Sequence, residues 1–326
     1  MIAVQEVKVG SRTRQVQVRP FAWNLHAPTH MEWTLDGRLL VVERTTGKVK
    51  DATQGGDMAE AKPFAWGLEG PASMCPLPDG RVLLSEFWSG RIIDISQGGD
   101  AVLMPVFADG LIRPYGLTCL LGRDGGSPRI FVGTSDQTSA LADLTGSMTE
   151  IDISSGKAKK FITNIPAGSR SPGAEGFAPP NSWPSDWTLY AERCNKAKWP
   201  TKIEGPGDYE QLVIASSSMG RILVYPVENG PGDALSLAAK YTVAYDTGEL
   251  GGIIAHPENG LLYATEPMAG SVLAVDPRDC RAYTFDPPVV RGLPDPTCVR
   301  FSPDGERMLV CSPTNGVIWE VRGFAA

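Results

Sequence analysis

The sequence predicts an all-β fold: a six-bladed β-propeller with four-stranded blades, the N-terminal strand closing the last blade. Three observations carry the prediction. A segment of about 43 residues recurs along the chain, and such a period marks propeller blades. Each copy offers short β-rich runs such as "RVLLSE" and "RIIDIS" joined by Asp-Gly or Asn-Gly hairpin turns. Helix signals are nearly absent, and 36 Gly and 27 Pro fit a chain that turns often.

Taken in order, the first unit is "FAWNLHAPTHMEWTLDGRLLVVERTTGKVKDATQGG" and the second contains "GLEGPASMCPLPDGRVLLSEFWSGRIIDISQGG". Pro28, Asp36-Gly37, Glu43 and Gly47 of the first take the places of Pro71, Asp79-Gly80, Glu86 and Gly90 of the second. Further copies begin at Phe107, Phe161, Tyr241 and Tyr283. The third is lengthened by "SDQTSALADLT". The fourth is lengthened by residues 166–209, read as an insertion in blade four, with a degenerate seventh blade as the competing reading. Blade six supplies only "PTCVRFSP", "RMLVCS" and "GVIWEVR", so the N-terminal "RQVQVRPFAWNL" is expected to complete it. Closure of this kind leaves no long unpaired edge. Residues 1–326 are then one domain.

Composition narrows the function classes. The chain is 42% hydrophobic with a formal charge of −7 and no Lys/Arg cluster, which argues against nucleic acid or an anionic membrane as partner. No apolar run approaches a membrane span. The start "MIAVQEVKVGSRTRQ" lacks an apolar leader, so the chain is read as cytoplasmic or as the mature form of an exported protein. The expected partner is a small molecule, and the expected state is a monomer or small homo-oligomer. Six cysteines show no CxxC pair or zinc spacing and are read as buried thiols, with a Cys298–Cys311 bridge left open.

In a propeller the lead-in to the innermost strand and the turn after the second strand share one face, where sites gather around the central channel. Aligned second-strand ends are Glu43, Glu86, Thr134, Ser216, Glu266 and Ser312. The lead-ins carry His26 and His30, Glu69, Arg113 and Tyr115, Arg170 and Glu175, Glu249, and Asp295 with Thr297. Asp136 lies just beyond Thr134. Two readings stand side by side. The acidic residues hold neighbouring blades through backbone N–H groups, or they share a channel where like-charge repulsion yields a general acid or base. On the second reading Glu69, Glu86, Glu43, Glu266, His26 and His30 are the acid–base candidates, and Trp88, Asp136 and the remaining lead-in residues bind substrate. His256, in "IIAHPENG", is placed near the opposite face and read as structural. Trp88, Tyr115 and the insertion's Trp183, Trp187, Tyr190 and Trp199 either pack loops or roof a pocket for an apolar or aromatic ligand.

The stretches "LEGPASMCPLPDGRVLLSEFWSGRIIDI", "LIRPYGLTCLL" and "DPTCVRFSPDGERMLVCS" resemble the six-bladed gluconolactonase, senescence-marker and strictosidine-synthase-like propellers. The resemblance implies a lactone or ester hydrolase, or a metal-independent cyclase or lyase. In the lactonases a Glu of a Glu-Gly-Pro motif and Asn or Asp residues at other lead-ins bind a divalent cation, commonly calcium. Glu69 matches that Glu. Tyr115 of "RPYGL" stands where a ligating Asn would be, and Thr297 holds the corresponding place in blade six. "MEWTLDGRLLVVERTTGKV" is also similar to the quinone-dependent sugar dehydrogenases, although their catalytic His and Arg context is not found near "GSRSPGAEG". A non-catalytic propeller that binds a ligand or partner through the same face is the reading from another class.

Overall fold

The computed structural model describes residues 3–9, 12–120, 128–135, 145–166, 190–193, 211–216, 221–245, 250–256, 261–276, 282–283 and 288–324. They form six antiparallel sheets, the six blades. From the inside outward, blade one is Pro28–Trp33, Leu39–Glu43, Lys48–Asp51 and Pro63–Trp66. Blade two is Pro71–Pro76, Val82–Glu86, Arg91–Asp94 and Val106–Ala108. Blade three is Leu117–Leu120, Arg129–Ser135, Thr145–Ile151 and Ala158–Pro166. Blade four is Tyr190–Arg193, Gln211–Ser216, Arg221–Pro226 and Thr242–Tyr245. Blade five is Ile253–Ala255, Leu262–Glu266 and Ser271–Val275, with Val290 bridging Val272 on its outer side. Blade six is Cys298–Phe301, Met308–Ser312 and Val317–Arg322, completed by Arg12–Trp23. Among the described residues one α-helix, Ala234–Tyr241, leads into the outer strand of blade four.

The innermost strands touch in cyclic order, blade six meeting blade one again. The closing strand pairs as expected, with Val18 opposite Val321 and Pro20 opposite Trp319. The insertion departs from expectation in one respect. Tyr190–Arg193, inside it, forms the inner strand of blade four against Leu212–Ala215. "YAER" lacks the β-branched run that would have marked a strand.

Small sequence features explain how the blades are held. The first hairpins close as Asp-Gly turns: Gly37 N–H donates to Thr34 O (3.0 Å) and Gly80 N–H to Leu77 O (3.0 Å). At the other end, a glycine in the turn after the second strand accepts from a leucine of the next blade. Leu68 N–H donates to Gly47 O (3.1 Å), Leu111 to Gly90 (3.0 Å), Leu293 to Gly270 (2.9 Å) and Leu25 to Gly316 (3.0 Å). A Cβ at Gly47 or Gly316 would overlap the carbonyl of its partner leucine, so this latch needs glycine. The Gly-Gly-Asp close of the repeat is a stitch on the outer edge, where Gly56–Asp57 pairs in parallel with Ala22–Trp23 and Gly99–Asp100 with Ala65–Trp66. The stitch covers backbone groups that an edge strand would otherwise expose. Between blades lie buried clusters such as Leu40, Val42, Met74, Leu84 and Ile93, where each fully buried Leu, Ile or Val contributes about 1.5–3 kcal/mol.

Candidate active site

The residue before the proline of each recognisable lead-in has positive φ: Ala27 (48°), Gly70 (66°), Arg113 (48°) and Asp295 (45°). Three of the four are not glycine, so the lead-ins hold locally strained backbone, and such positions cluster at functional sites. These lead-ins and the turns after the second strands meet on one face, which we call the mouth.

The aligned carboxylates on this face are engaged within their own blades. Glu43, fully buried, accepts from the His26 N–H at Oε1 (2.8 Å) and from Thr46 Oγ1 at Oε2 (3.3 Å), with Lys50 Nζ at 3.5 Å. Glu86, also fully buried, accepts from the Glu69 N–H at Oε1 (2.9 Å) and from Ser89 Oγ (2.8 Å) and Arg91 Nε (2.9 Å) at Oε2. Glu266 accepts from Ser271 Oγ (2.6 Å). Two of the other aligned positions are engaged as well: Thr134 Oγ1 meets Thr149 Oγ1 at 2.8 Å, and Ser312 Oγ accepts from Trp319 Nε1 at 3.0 Å. Glu43, Glu86 and Glu266 thus each carry internal hydrogen bonds at the ends of second strands.

Glu69 differs. Its backbone is held on both sides, by Glu86 at N–H and by the Trp88 N–H at its carbonyl (3.2 Å), while its carboxylate is 61% exposed. Arg91 stands between the two acids, 2.7 Å from Glu86 Oε2 and 3.8 Å from Glu69 Oε1. A guanidinium thus bridges Glu69 and Glu86, two of the carboxylates expected to share the channel. His26 is exposed at the lead-in of blade one. His30 is not at the surface: its Nε2 lies 3.4 Å from Ser73 Oγ and its Nδ1 3.8 Å from Cys298 Sγ, a buried histidine linking three inner strands. The ring packs among these strands, away from solvent. Cys298 and Cys311 lie directly opposite each other as free, buried thiols. His256 Nε2 donates to Gly305 O (3.1 Å) beside the opposite hairpin, in line with its structural reading.

Aromatic and cationic groups complete the mouth. Trp88 is 50% exposed and stacks edge-on against Phe87 at 4.8 Å, which in turn meets buried Tyr115 at 6.2 Å. The guanidinium of Arg44 lies over Phe87 (4.5 Å), Tyr115 (5.1 Å) and Trp88 (5.9 Å). Arg113 is half-buried, and burial lowers its pKa from the usual arginine value. Asp295 accepts from Thr314 Oγ1 (3.2 Å), and Thr297 Oγ1 donates to Thr29 O (3.2 Å). Asp136, Arg170, Glu175 and Glu249 lie outside the described residues, as do the insertion's three tryptophans. Sequence reasoning missed Arg44, Phe87 and Arg91. Arg44 follows Glu43 as Phe87 follows Glu86, so the repeat alignment marks those two positions as equivalent but not their contact, and Arg91, which aligns with Lys48, carries no such mark.

The described residues do not fit the calcium site that the resemblance implies. Among the described residues no three His, Cys, Asp or Glu side chains converge, whereas calcium takes about six to eight oxygens. The expected ligand Glu69 is beside Arg91, Tyr115 lies under the Arg44 guanidinium, and the Thr297 hydroxyl serves a neighbouring strand. Among the described residues no helix is long and apolar enough to cross a membrane.

No protein-family model matches the chain, and no curated protein matches it in sequence. Solved structures match it in fold. A gluconolactonase from Xanthomonas campestris superposes with a TM-score of 0.65 at 9% identity, over 98% of this chain and 95% of that one. A luciferin-regenerating enzyme gives 0.62 at 14% identity over 94% and 95%. A streptogramin B lyase gives 0.54 at 13% identity over 94% and 98%. The chain shares the six-bladed fold of the gluconolactonase-like propellers and their relatives.

Proposed function

We propose that the chain is an enzyme acting on a small organic molecule at the mouth, opening a lactone or ester, or acting as a lyase or cyclase without a metal. One observation carries this reading: among the described acidic residues of the mouth, Glu43, Glu86 and Glu266 are buried with internal partners, whereas Glu69 is fixed at its backbone and exposed at its carboxylate, with Arg91 at 3.8 Å. A pre-positioned, accessible carboxylate is what general-base chemistry needs. In the hydrolytic version Glu69 takes a proton from a water whose oxygen adds to the ester or lactone carbonyl carbon. The carbon–oxygen bond to the leaving group then breaks, and the proton passes to the departing alkoxide, leaving an acid and an alcohol. Positive charge from Arg113 and Arg91 favours the developing oxyanion. His26 is a second proton carrier, Trp88 and Tyr115 wall the ligand, and Asp295 and Thr297 lie on the blade-six side of the same mouth. The fold shared with lactone-handling and lyase propellers supports the class of reaction.

The test is turnover on a panel of lactones and aryl esters by wild type and Glu69→Gln. A drop of roughly 100-fold or more with an unchanged melting midpoint is expected. Full retention of turnover by the variant would contradict the assignment. A second reading, a ligand-binding propeller without catalysis, draws on the same finding that the other carboxylates hold the fold. Saturable binding from the panel with no turnover would favour it.

A further inference from the structure

We propose that Arg44 is a recognition group for a carboxylate carried on an aromatic or apolar small molecule. The inference rests on the mouth being a small-molecule site, and not on catalysis there. Arg44 opens the turn Arg44–Thr46 of blade one and stands one repeat away from Phe87, on whose ring it lies. Several other arginines have carboxylate partners: Arg19 has Glu320, Arg91 has Glu86 and Arg300 has Glu32. Arg44 makes no ion pair among the described residues, and its buried Nη2 has no hydrogen-bond partner. Ring faces stabilise a guanidinium through its plane, yet they leave its in-plane N–H donors unmet, and a buried donor without an acceptor is costly. A carboxylate supplies two acceptors in the geometry of that fork. The chain's charge of −7 and the acids Glu43, Glu69 and Glu86 on the same face oppose a polyanion, so a single negative charge is favoured. The half-exposed indole of Trp88, within 5.9 Å of the Arg44 guanidinium, offers the apolar body of such a ligand a surface.

The test is calorimetric titration with benzoate, phenylacetate and indole-3-acetate beside their neutral amides. The acids should bind wild type at least about tenfold more tightly than the amides. Arg44→Gln should weaken the acids by about 10- to 100-fold, to the level of the amides. Arg44→Lys should restore part of the loss, since it keeps the charge without the fork. Melting curves check that the variants fold, and if Arg44→Gln does not, loss of acid binding in a folded Arg44→Lys carries the test. Equal binding of acids and amides by wild type, undiminished binding of acids by the variants, or no acid binding at about 10 mM would overturn the proposal. Because the readout is equilibrium binding, a chain inactive on every lactone leaves this inference standing, and an active one with no preference for acids sinks it alone.

Discussion

Gly70 joins the two halves of the Glu-Gly-Pro motif to the site. Its φ of +66° suits glycine, and a Cβ there would overlap the Trp88 indole. Gly70→Ala should therefore strain the lead-in and push the indole aside, lowering ligand affinity at the mouth by roughly tenfold. Tryptophan fluorescence and titration of the variant would show it, and an unmoved emission spectrum with unchanged affinity would contradict it. The neighbouring acids separate by role. Glu86→Gln breaks charged hydrogen bonds in a buried setting and should cost about 2 kcal/mol of stability, with turnover falling much less than in Glu69→Gln. Denaturant melts set beside turnover measure the two effects. Glu69, Trp88 and Tyr115 were legible in the sequence because the repeat aligned them. Arg44 was not recognised because its stacking partners come from blades two and three, and no local pattern announces a contact between residues a full repeat apart.

Among the strands, the N-terminal closure has an electrostatic pin. Glu320 of blade six is nearly buried and accepts from Arg19 Nε (2.9 Å) of the closing strand and from Arg322 Nε (2.7 Å). Burial works to raise its pKa, but the donors Arg322 and Arg19 outweigh burial and hold it below the usual carboxylate range. A depressed folded pKa contributes stability that is present above the unfolded value and is lost as pH falls through the folded one. Acid should thus loosen closure, and Glu320→Gln should flatten the dependence of the melting midpoint on pH below about 5. An unaltered acid profile in the variant would remove Glu320 from the closure. The closing strand itself was legible because "RPFAWNL" echoes the outer strand of blade one. The inner strand of blade four was not, since Tyr190–Arg193 is short and half charged and pairs only because the ring needs a sixth inner strand there.

Across the whole molecule, the ring sets the site. Six inner strands in cyclic contact bring the lead-ins and turns of blades one, two and three to one face, so residues from Arg44 to Tyr115 become neighbours without a contiguous motif. The repeat made the architecture readable, and the same regularity hid the chemistry, because equivalent positions carry unlike residues: Arg44 against Phe87, Glu86 against Thr134. The most direct test of this account is hydrogen exchange across the chain with and without the tightest binder from the lactone and aryl-ester panel. Protection is expected in the mouth segments around residues 43–47, 69–71, 87–91 and 111–116. Protection concentrated instead at the opposite hairpins around Gly37, Gly80 and Gly305, with the mouth unchanged, would contradict it.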